Sequence, residues 1–354
     1  MTRIFVVDDS AFIRKALARV LQAEPGLRLV GEAATGAEAV EKIPDADPDL
    51  VTLDVAMPGM GGLEVLRALL RWKPALKVVM LSAHTQEGAE ATIEALAAGA
   101  VDFIDKTSFN VMDLDTLRRE VIEKLKIWGS GASEAVAHKL VGPAAAAADY
   151  AAHLTAAARC EVCVIGASTG GPIALQRILE RIPARFPMPI AIVQHMPVGF
   201  TGPFADRLSR LSRLQVSEAV EGDRLRPGRA LVAPAGRHLR ITASLAAVLA
   251  AEPADAKHIP SVDITMKSAA RARPGRVLGI LLTGMGQDGA EGMATIRASG
   301  GFTIGESEAT CVVYGMPRAA EMRGAVDCML PLPEIISFLE ELTPRGARSA
   351  GSRQ

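Results

Sequence analysis

Cysteine is scarce: the 354 residues contain four, Cys160, Cys163, Cys311 and Cys328, which suits a reducing compartment and excludes a disulfide scaffold. Cys160 and Cys163 have C-x-x-C spacing, but in a stretch that reads as a strand, residues three apart face opposite ways, which argues against a shared metal or redox centre. Neither sign of charge is in excess, with 39 Lys and Arg against 40 Asp and Glu, so the chain lacks both the basic footprint of a nucleic-acid binder and an acidic tail. No apolar run reaches the roughly 20 residues that a membrane helix requires. The amino terminus passes straight into Ile4-Phe-Val-Val7 and then Asp8 and Asp9, without a charged leader or a long apolar segment. These absences predict a cytoplasmic protein that neither binds nucleic acid nor inserts into a membrane.

What is present is enough apolar material, 49% of residues, for two cores, and the length suits two globular units. From residue 2 to about 127, short apolar runs alternate with helical patterns five times. Residues 4–7, 27–31, 50–53, 78–81 and 101–104 read as strands. In the first helix Ser10 is placed to cap, and Ile13, Ala16, Leu17, Val20 and Leu21 recur on one face. Repeated βα units with apolar strands predict a doubly wound parallel sheet whose ligands gather at the strands' carboxyl ends.

Those ends carry Asp8 and Asp9 after the first strand, Asp54 after the third, Ser82 after the fourth and Lys106 after the fifth. Converging carboxylates repel one another unless a hard cation such as Mg²⁺ sits among them, and a carboxylate beside that ion can accept a phosphoryl group. An Asp-Asp pair after a strand can also be a plain helix cap, and a lone Lys is usually solvated. The joint pattern is what favours chemistry. With Val7-Asp-Asp-Ser10, Leu53-Asp-Val-Ala-Met-Pro58, Leu81-Ser82 and Phe103-Ile-Asp-Lys106, residues 1–127 resemble the receiver domains of two-component response regulators. The resemblance implies Asp54 as phospho-acceptor, Asp8, Asp9 and Asp54 as Mg²⁺ ligands, Ser82 and Lys106 as phosphate-sensing groups, and Phe103 as the switch aromatic. Thr107 stands where many receivers have Pro, and Ala56 and Gly61 replace acidic residues that commonly flank this loop.

Residues 128–159 read as a linker rich in small residues, with five consecutive alanines; His138 and His153 are expected to be solvated. From residue 160 the βα alternation resumes, with strands at 162–165, 190–193, 230–232, 277–282 and 302–304 and helices after Pro172, Phe200, Gly289 and Pro317. The stretch Val162-Cys-Val-Ile-Gly-Ala-Ser-Thr-Gly-Gly-Pro172 breaks from a strand into glycines and a proline-started helix, with Ser168 in the break. On its own this is an ordinary βα turn. A Ser hydroxyl needs a base oriented by a carboxylate to become a nucleophile, and His195 and Asp288 follow other strands of the same unit. His258 and Asp263 are alternatives, but they lie in an irregular segment; His238, between Arg237 and Arg240, reads as a surface residue. A dinucleotide site fails because the second glycine of its fingerprint is missing and no acidic residue ends the next strand. The local G-x-S-x-G matches the nucleophile elbow of α/β-hydrolases, but the chain order Ser, His, Asp does not.

That order, with Ile165-Gly-Ala-Ser-Thr-Gly-Gly-Pro172, Gln194-His-Met-Pro197, Pro260-Ser-Val-Asp263, Leu282-Thr-Gly-Met-Gly-Gln-Asp-Gly289 and Ala309-Thr-Cys-Val-Val-Tyr-Gly-Met-Pro317, resembles the catalytic domain of chemotaxis protein-glutamate methylesterases over residues 160–342. The resemblance implies Ser168 as nucleophile, His195 as base and acid, Asp288 as its orienter, and Thr169 with the Met285 backbone placing the base and the oxyanion. The expected fold is α/β, two doubly wound parallel-sheet domains, flavodoxin-like then Rossmann-like, followed by a disordered tail at 343–354. The implied function is phosphorylation-controlled hydrolysis of glutamate methyl esters, with deamidation of glutamines, on chemoreceptors. A sensor histidine kinase would donate phosphate, Mg²⁺ would serve the receiver, the esterase would need no cofactor, and the protein would be a monomer. A receiver on a flexible linker would cover the active face until Asp54 is phosphorylated. The rival is a non-enzymatic signalling adaptor whose second domain only binds a partner.

Overall fold

The computed structural model describes residues 1–83, 85–106, 114–129 and 147–343, excluding the side chains of 114–120, 147 and 148. The chain divides into two compact units, Met1–Ala135 and Val136–Gln354. Thr107, His138 and the tail from 344 onward lie outside the described residues.

In the first unit β1 (Thr2–Val7), β2 (Leu27–Ala33), β3 (Leu50–Asp54), β4 (Lys77–Ser82) and β5 (Asp102–Asp105) form one sheet in the order β2-β1-β3-β4-β5. Every pairing is parallel. Parallel strands need crossovers, supplied by α1 (Ala11–Gln22), α2 (Gly36–Ala46), α3 (Gly62–Trp72) and α4 (Gln86–Ala97), with α5 (Leu114–Gly129) following β5. Helices on both faces bury the strands, so β3 has no exposed residue and reads as an apolar run, interrupted only by Thr52, that ends in Asp54. Ser10 caps α1 by accepting from the Ile13 N–H, and Ile13, Leu17, Val20 and Leu21 form its buried stripe.

The first described element of the second unit is α6 (Ala147–Ala157), inside the stretch expected to be a linker. This helix packs on its own unit: Tyr150 meets Phe338 edge-on at 5.8 Å, and His153, expected to be solvated, lies 5.4 Å from the Phe302 ring. The alanine-rich sequence hid this, because two aromatic contacts rather than an apolar stripe dock the helix. The main sheet comprises β6 (Val162–Ala167), β7 (Ile190–Gln194), β8 (Gln215–Glu218), β9 (Arg229–Val232), β12 (Val277–Leu281), β13 (Phe302–Glu306) and β14 (Cys328–Leu330). Its order is β14-β13-β12-β6-β7-β9-β8, all parallel. The short antiparallel pair β10 (His238–Ile241) and β11 (Ala247–Ala250) stands apart. The helices are α7 (Gly171–Arg181), α8 (Thr201–Leu211), α9 (Val262–Ala272), α10 (Ala290–Ala298), α11 (Met316–Met322) and α12 (Leu332–Glu341).

From β6 the chain winds outward through β7, then returns to β12 on the other side of β6. The order therefore reverses between β6 and β12, and their carboxyl ends open the crevice where ligands bind in such sheets. The central strands β6, β7 and β12 are fully buried and were legible as apolar runs. No helix among the described residues is long and apolar enough to cross a membrane. All four cysteines are free, and only Cys328 is more than marginally exposed.

Candidate active site and phosphoryl site

Strand register builds the first site. Ala167 of β6 pairs with Gln194 of β7, so the next residues, Ser168 and His195, leave neighbouring strands side by side. The His195 N–H donates to the Ala167 carbonyl at 3.1 Å, and the Gln194 side chain ties both loops by donating to the Ser168 and His195 carbonyls at 2.9 and 3.0 Å. On the other side, the Ser168 N–H donates to the Thr283 carbonyl at 3.0 Å, just beyond β12. Thr283 is held in turn: its N–H donates to the buried Glu306 carboxylate at 2.8 Å and its hydroxyl to the Thr169 carbonyl at 3.0 Å. Burial pushes the Glu306 carboxyl up from its ordinary value, against the Thr283 hydrogen bond that lowers it.

Two glycines set how closely the loops meet. Gly170 has φ +79° and sits where a Cβ would lie 2.7 Å from Val312. At Gly284 a Cβ would meet the Ser168 Cβ at 2.8 Å. The loop through Met285 thus packs directly on the Ser168 turn. The backbone N–H groups of Thr169 and Met285 have no acceptor among the described residues.

Asp288 lies in the loop between β12 and α10 and receives four donors. His195 Nε2 is 2.8 Å from Oδ2, which also accepts the Val262 N–H at 2.8 Å; Oδ1 accepts the Ser261 hydroxyl at 2.9 Å and the Asp263 N–H at 3.0 Å. Ser261 is the N-cap of α9, so the carboxylate occupies the positive end of that helix. Burial opposes its ionisation, but the hydrogen bond and charge of His195 and the two backbone N–H groups outweigh burial and hold the carboxyl well below the usual carboxylate range. An ionised carboxylate only accepts, so His195 Nε2 carries the proton and Nδ1 offers a lone pair. Nδ1 is buried and has no hydrogen-bond partner among the described residues. A base atom with its opposite nitrogen fixed by a carboxylate, beside a serine on a glycine turn, can activate that serine. The Ser168 hydroxyl itself makes no hydrogen bond among the described residues.

Several supports of this site escaped sequence reading. His258 stacks on His195, with ring centroids 4.2 Å apart. Asp263 accepts the Gly292 N–H of α10 at 2.6 Å, so α9 and α10 each receive a carboxylate from the segment preceding or opening the other. His238 is a buried structural residue and not a surface one: Nδ1 accepts from Ser261 N–H at 3.2 Å and Nε2 reaches the Pro253 carbonyl at 3.1 Å. Its flanking arginines misled because it lies on β10, where side chains alternate faces. Ser261 could have been found, since a serine ahead of the periodic Val262, Thr265, Met266 and Ala269 is a helix-start signal.

In the first unit, Asp8, Asp9 and Asp54 bring carboxylate oxygens within 4.8 Å of one another; Asp8 and Asp54 are buried and Asp9 is exposed. The Lys106 ammonium pairs with Asp8 at 2.8 Å and Asp54 at 2.7 Å. Burial pushes the Asp54 carboxyl up to about 6, with the Asp8 charge adding to the rise and Lys106 opposing it. Three hard oxygen ligands in one pocket suit Mg²⁺. Ser82 faces α4 instead, donating to the Gly88 carbonyl at 3.2 Å and accepting from Thr92 Oγ1 at 2.7 Å. Phe103 is buried, with the Lys124 ammonium 5.2 Å from its ring centre.

The family model described as CheB methylesterase matches residues 163–339, and the response regulator receiver domain model matches residues 4–118. A protein-glutamate methylesterase/protein-glutamine glutaminase of Pseudomonas aeruginosa is 43% identical, with 99% of each chain covered. One of Oleidesulfovibrio alaskensis is 42% identical over 95% of this chain and 97% of its own. The solved CheB methylesterase catalytic domain of Thermotoga maritima matches with 39% identity and a TM-score of 0.50, covering 52% of this chain and 98% of that one. The chain therefore belongs to the receiver-containing protein-glutamate methylesterase/protein-glutamine glutaminase family.

Proposed function

We propose that this chain hydrolyses glutamate methyl esters, and deamidates glutamines, on a chemoreceptor cytoplasmic domain, through Ser168, His195 and Asp288. The observation that carries the reading is the His195 ring, fixed at Nε2 by Asp288 and left with an Nδ1 unpartnered among the described residues, on the strand end next to the one that carries Ser168. Ser168 Oγ attacks the ester carbonyl while His195 Nδ1 takes its proton. The carbon–methoxy bond then breaks, and His195 returns the proton to the leaving oxygen, giving methanol. Water attacks the acyl-serine with His195 again accepting a proton, which restores the Ser168 hydroxyl and releases a glutamate carboxylate. With an amide the leaving group is ammonia. The open N–H groups of Thr169 and Met285 supply donors for the oxyanion, the type of interaction that usually contributes most to acyl transfer.

The receiver controls this activity in the same reading. Asp54 accepts a phosphoryl group from a sensor histidine kinase, Asp8, Asp9 and Asp54 hold Mg²⁺, and Lys106 and Ser82 meet the phosphoryl oxygens. Bound Mg²⁺ would supply the positive charge that lets three carboxylates and a phosphoryl group share one pocket. Ser82 must turn from Gly88 to do so, and Phe103 is the aromatic whose packing reports that turn. Receiver 1–127, catalytic domain 160–342 and a connection between them, whose α6 packs on the catalytic unit, is the division this requires, with the esterase working as a monomer in the cytoplasm. An adaptor that only binds would not need an ionised Asp288 held by four donors.

Methanol release from membranes carrying methylated chemoreceptor tests the reading. The wild-type chain is expected to release methanol, faster with a small-molecule phosphodonor, and Ser168→Ala to release none while remaining folded. Wild-type rates from Ser168→Ala would refute it. Deleting residues 1–130 is expected to raise the unphosphorylated rate, and an unchanged or lower rate would refute control by restraint.

A further inference from the structure

The His258 ring lies flat on His195, with planes inclined by 14° and centroids 4.2 Å apart, and no step above uses it. His258 belongs to the irregular stretch between β11 and α9 and is half-buried. That stretch is anchored three residues later, where the Ser261 hydroxyl donates to Asp288 and its N–H to His238. Asp288 thus fixes the edge of the His195 ring directly, and through Ser261 the segment whose ring covers its face.

The charged and titratable groups facing His258 are His195 after β7, Asp288 after β12, and its neighbour Lys257. Burial, with His195 and Lys257 adding to it and Asp288 opposing, pulls the His258 imidazole down to about 4, so it is neutral near pH 7. A neutral flat ring in face contact restricts rotation of its partner. Its π electrons also favour positive charge on that partner, and that is the charge His195 acquires on taking the Ser168 proton.

We infer that His258 is a positioning residue of the esterase, whose stacked ring holds His195 in the plane set by Asp288 and favours the imidazolium formed during proton transfer. The inference rests on His195 being the base. Its test therefore starts with full-length wild type and His195→Ala in the methanol assay. Failure of wild type to release methanol, or wild-type rates from His195→Ala, would sink the underlying reading and not the role of His258.

With those controls as expected, His258→Ala should lower kcat roughly three- to tenfold while KM stays within about twofold. His258→Phe keeps a flat ring without ring nitrogens and should restore kcat to within about twofold of wild type. The pH profile of kcat for His258→Phe should keep the wild-type shape from about pH 5 to 9, because the native ring is uncharged there. If His258→Ala loses its near-UV circular dichroism, His258→Leu takes its place, with similar bulk, no π face and the same expected loss. Three results overturn the inference: His258→Phe as slow as the ringless variant, the ringless variant at wild-type kcat, or a rise in KM alone.

Discussion

Asp288→Asn probes how the site holds its base. The carboxylate receives His195 Nε2 and the Val262 N–H on Oδ2, and the Ser261 hydroxyl and Asp263 N–H on Oδ1. An asparagine can keep its oxygen toward one pair only. If it faces Ser261 and Asp263, the amide NH₂ confronts two donors; His195 then shifts its proton from Nε2 to Nδ1, and the atom that must take the Ser168 proton already carries one. In serine hydrolases that tautomer error lowers kcat by about 10⁴. The Val262 N–H also loses a charged acceptor, costing about 1–3 kcal/mol of stability. The sign with pH follows from the depressed carboxyl: its contribution is fully present above the unfolded value of about 4 and fades as pH falls below it. Denaturant unfolding of Asp288→Asn should therefore show a deficit at pH 7 that shrinks toward pH 3, while methanol release at pH 7 falls by about three to four orders of magnitude. Activity within about tenfold of wild type would refute Asp288 as the orienting group.

Two further outcomes follow from the burial of Asp54 and the close approach at Gly284. Asp54 is raised from 3.8 to about 6 by burial, so its ionised form destabilises the receiver above that pH; Asp54→Asn should add about 1–3 kcal/mol near pH 8 in metal-free denaturant unfolding, an advantage absent below about pH 4. Equal or lower stability of the variant would contradict the burial argument. Gly284→Ala would thrust a methyl group to 2.8 Å from the Ser168 Cβ and 2.3 Å from the Met316 sulfur. Methanol release should fall roughly a hundredfold through displacement of the serine, with about 1–3 kcal/mol lost in thermal unfolding; unchanged kcat would show that the loop does not set the serine's position.

The sheets were legible because parallel strands covered on both faces are near-continuous apolar runs, as in Val162–Ala167 and, but for Thr52, residues 50–53. Strands at the rims were not: Gln215–Glu218 fully buries only Val216, and Cys328–Leu330 is three residues long. Ser168, His195, Asp54 and Lys106 stood out as candidates because ligands gather at strand ends in doubly wound sheets. Glu306, Thr283 and Gln194 stand close to the same edge, but their role appears only as hydrogen bonds to carbonyl and N–H groups of other loops, which sequence spacing does not encode. The His258 stack was hidden for a related reason. It depends on the path of an irregular segment fixed from afar by Ser261 and Asp288, with no periodic pattern pointing to it. The resting orientation of Ser82 likewise reflects Thr92, a buried hydroxyl on α4.

The central claim, that Ser168 forms the covalent bond, is tested most directly by acid-quenching the wild-type protein during turnover of a methyl-esterified receptor peptide and mapping adducts by mass spectrometry. The account predicts an acyl adduct on the peptide containing Ser168, absent when the peptide carries no ester. Continued methanol release with no adduct on Ser168, joined by full activity of Ser168→Ala, would contradict it.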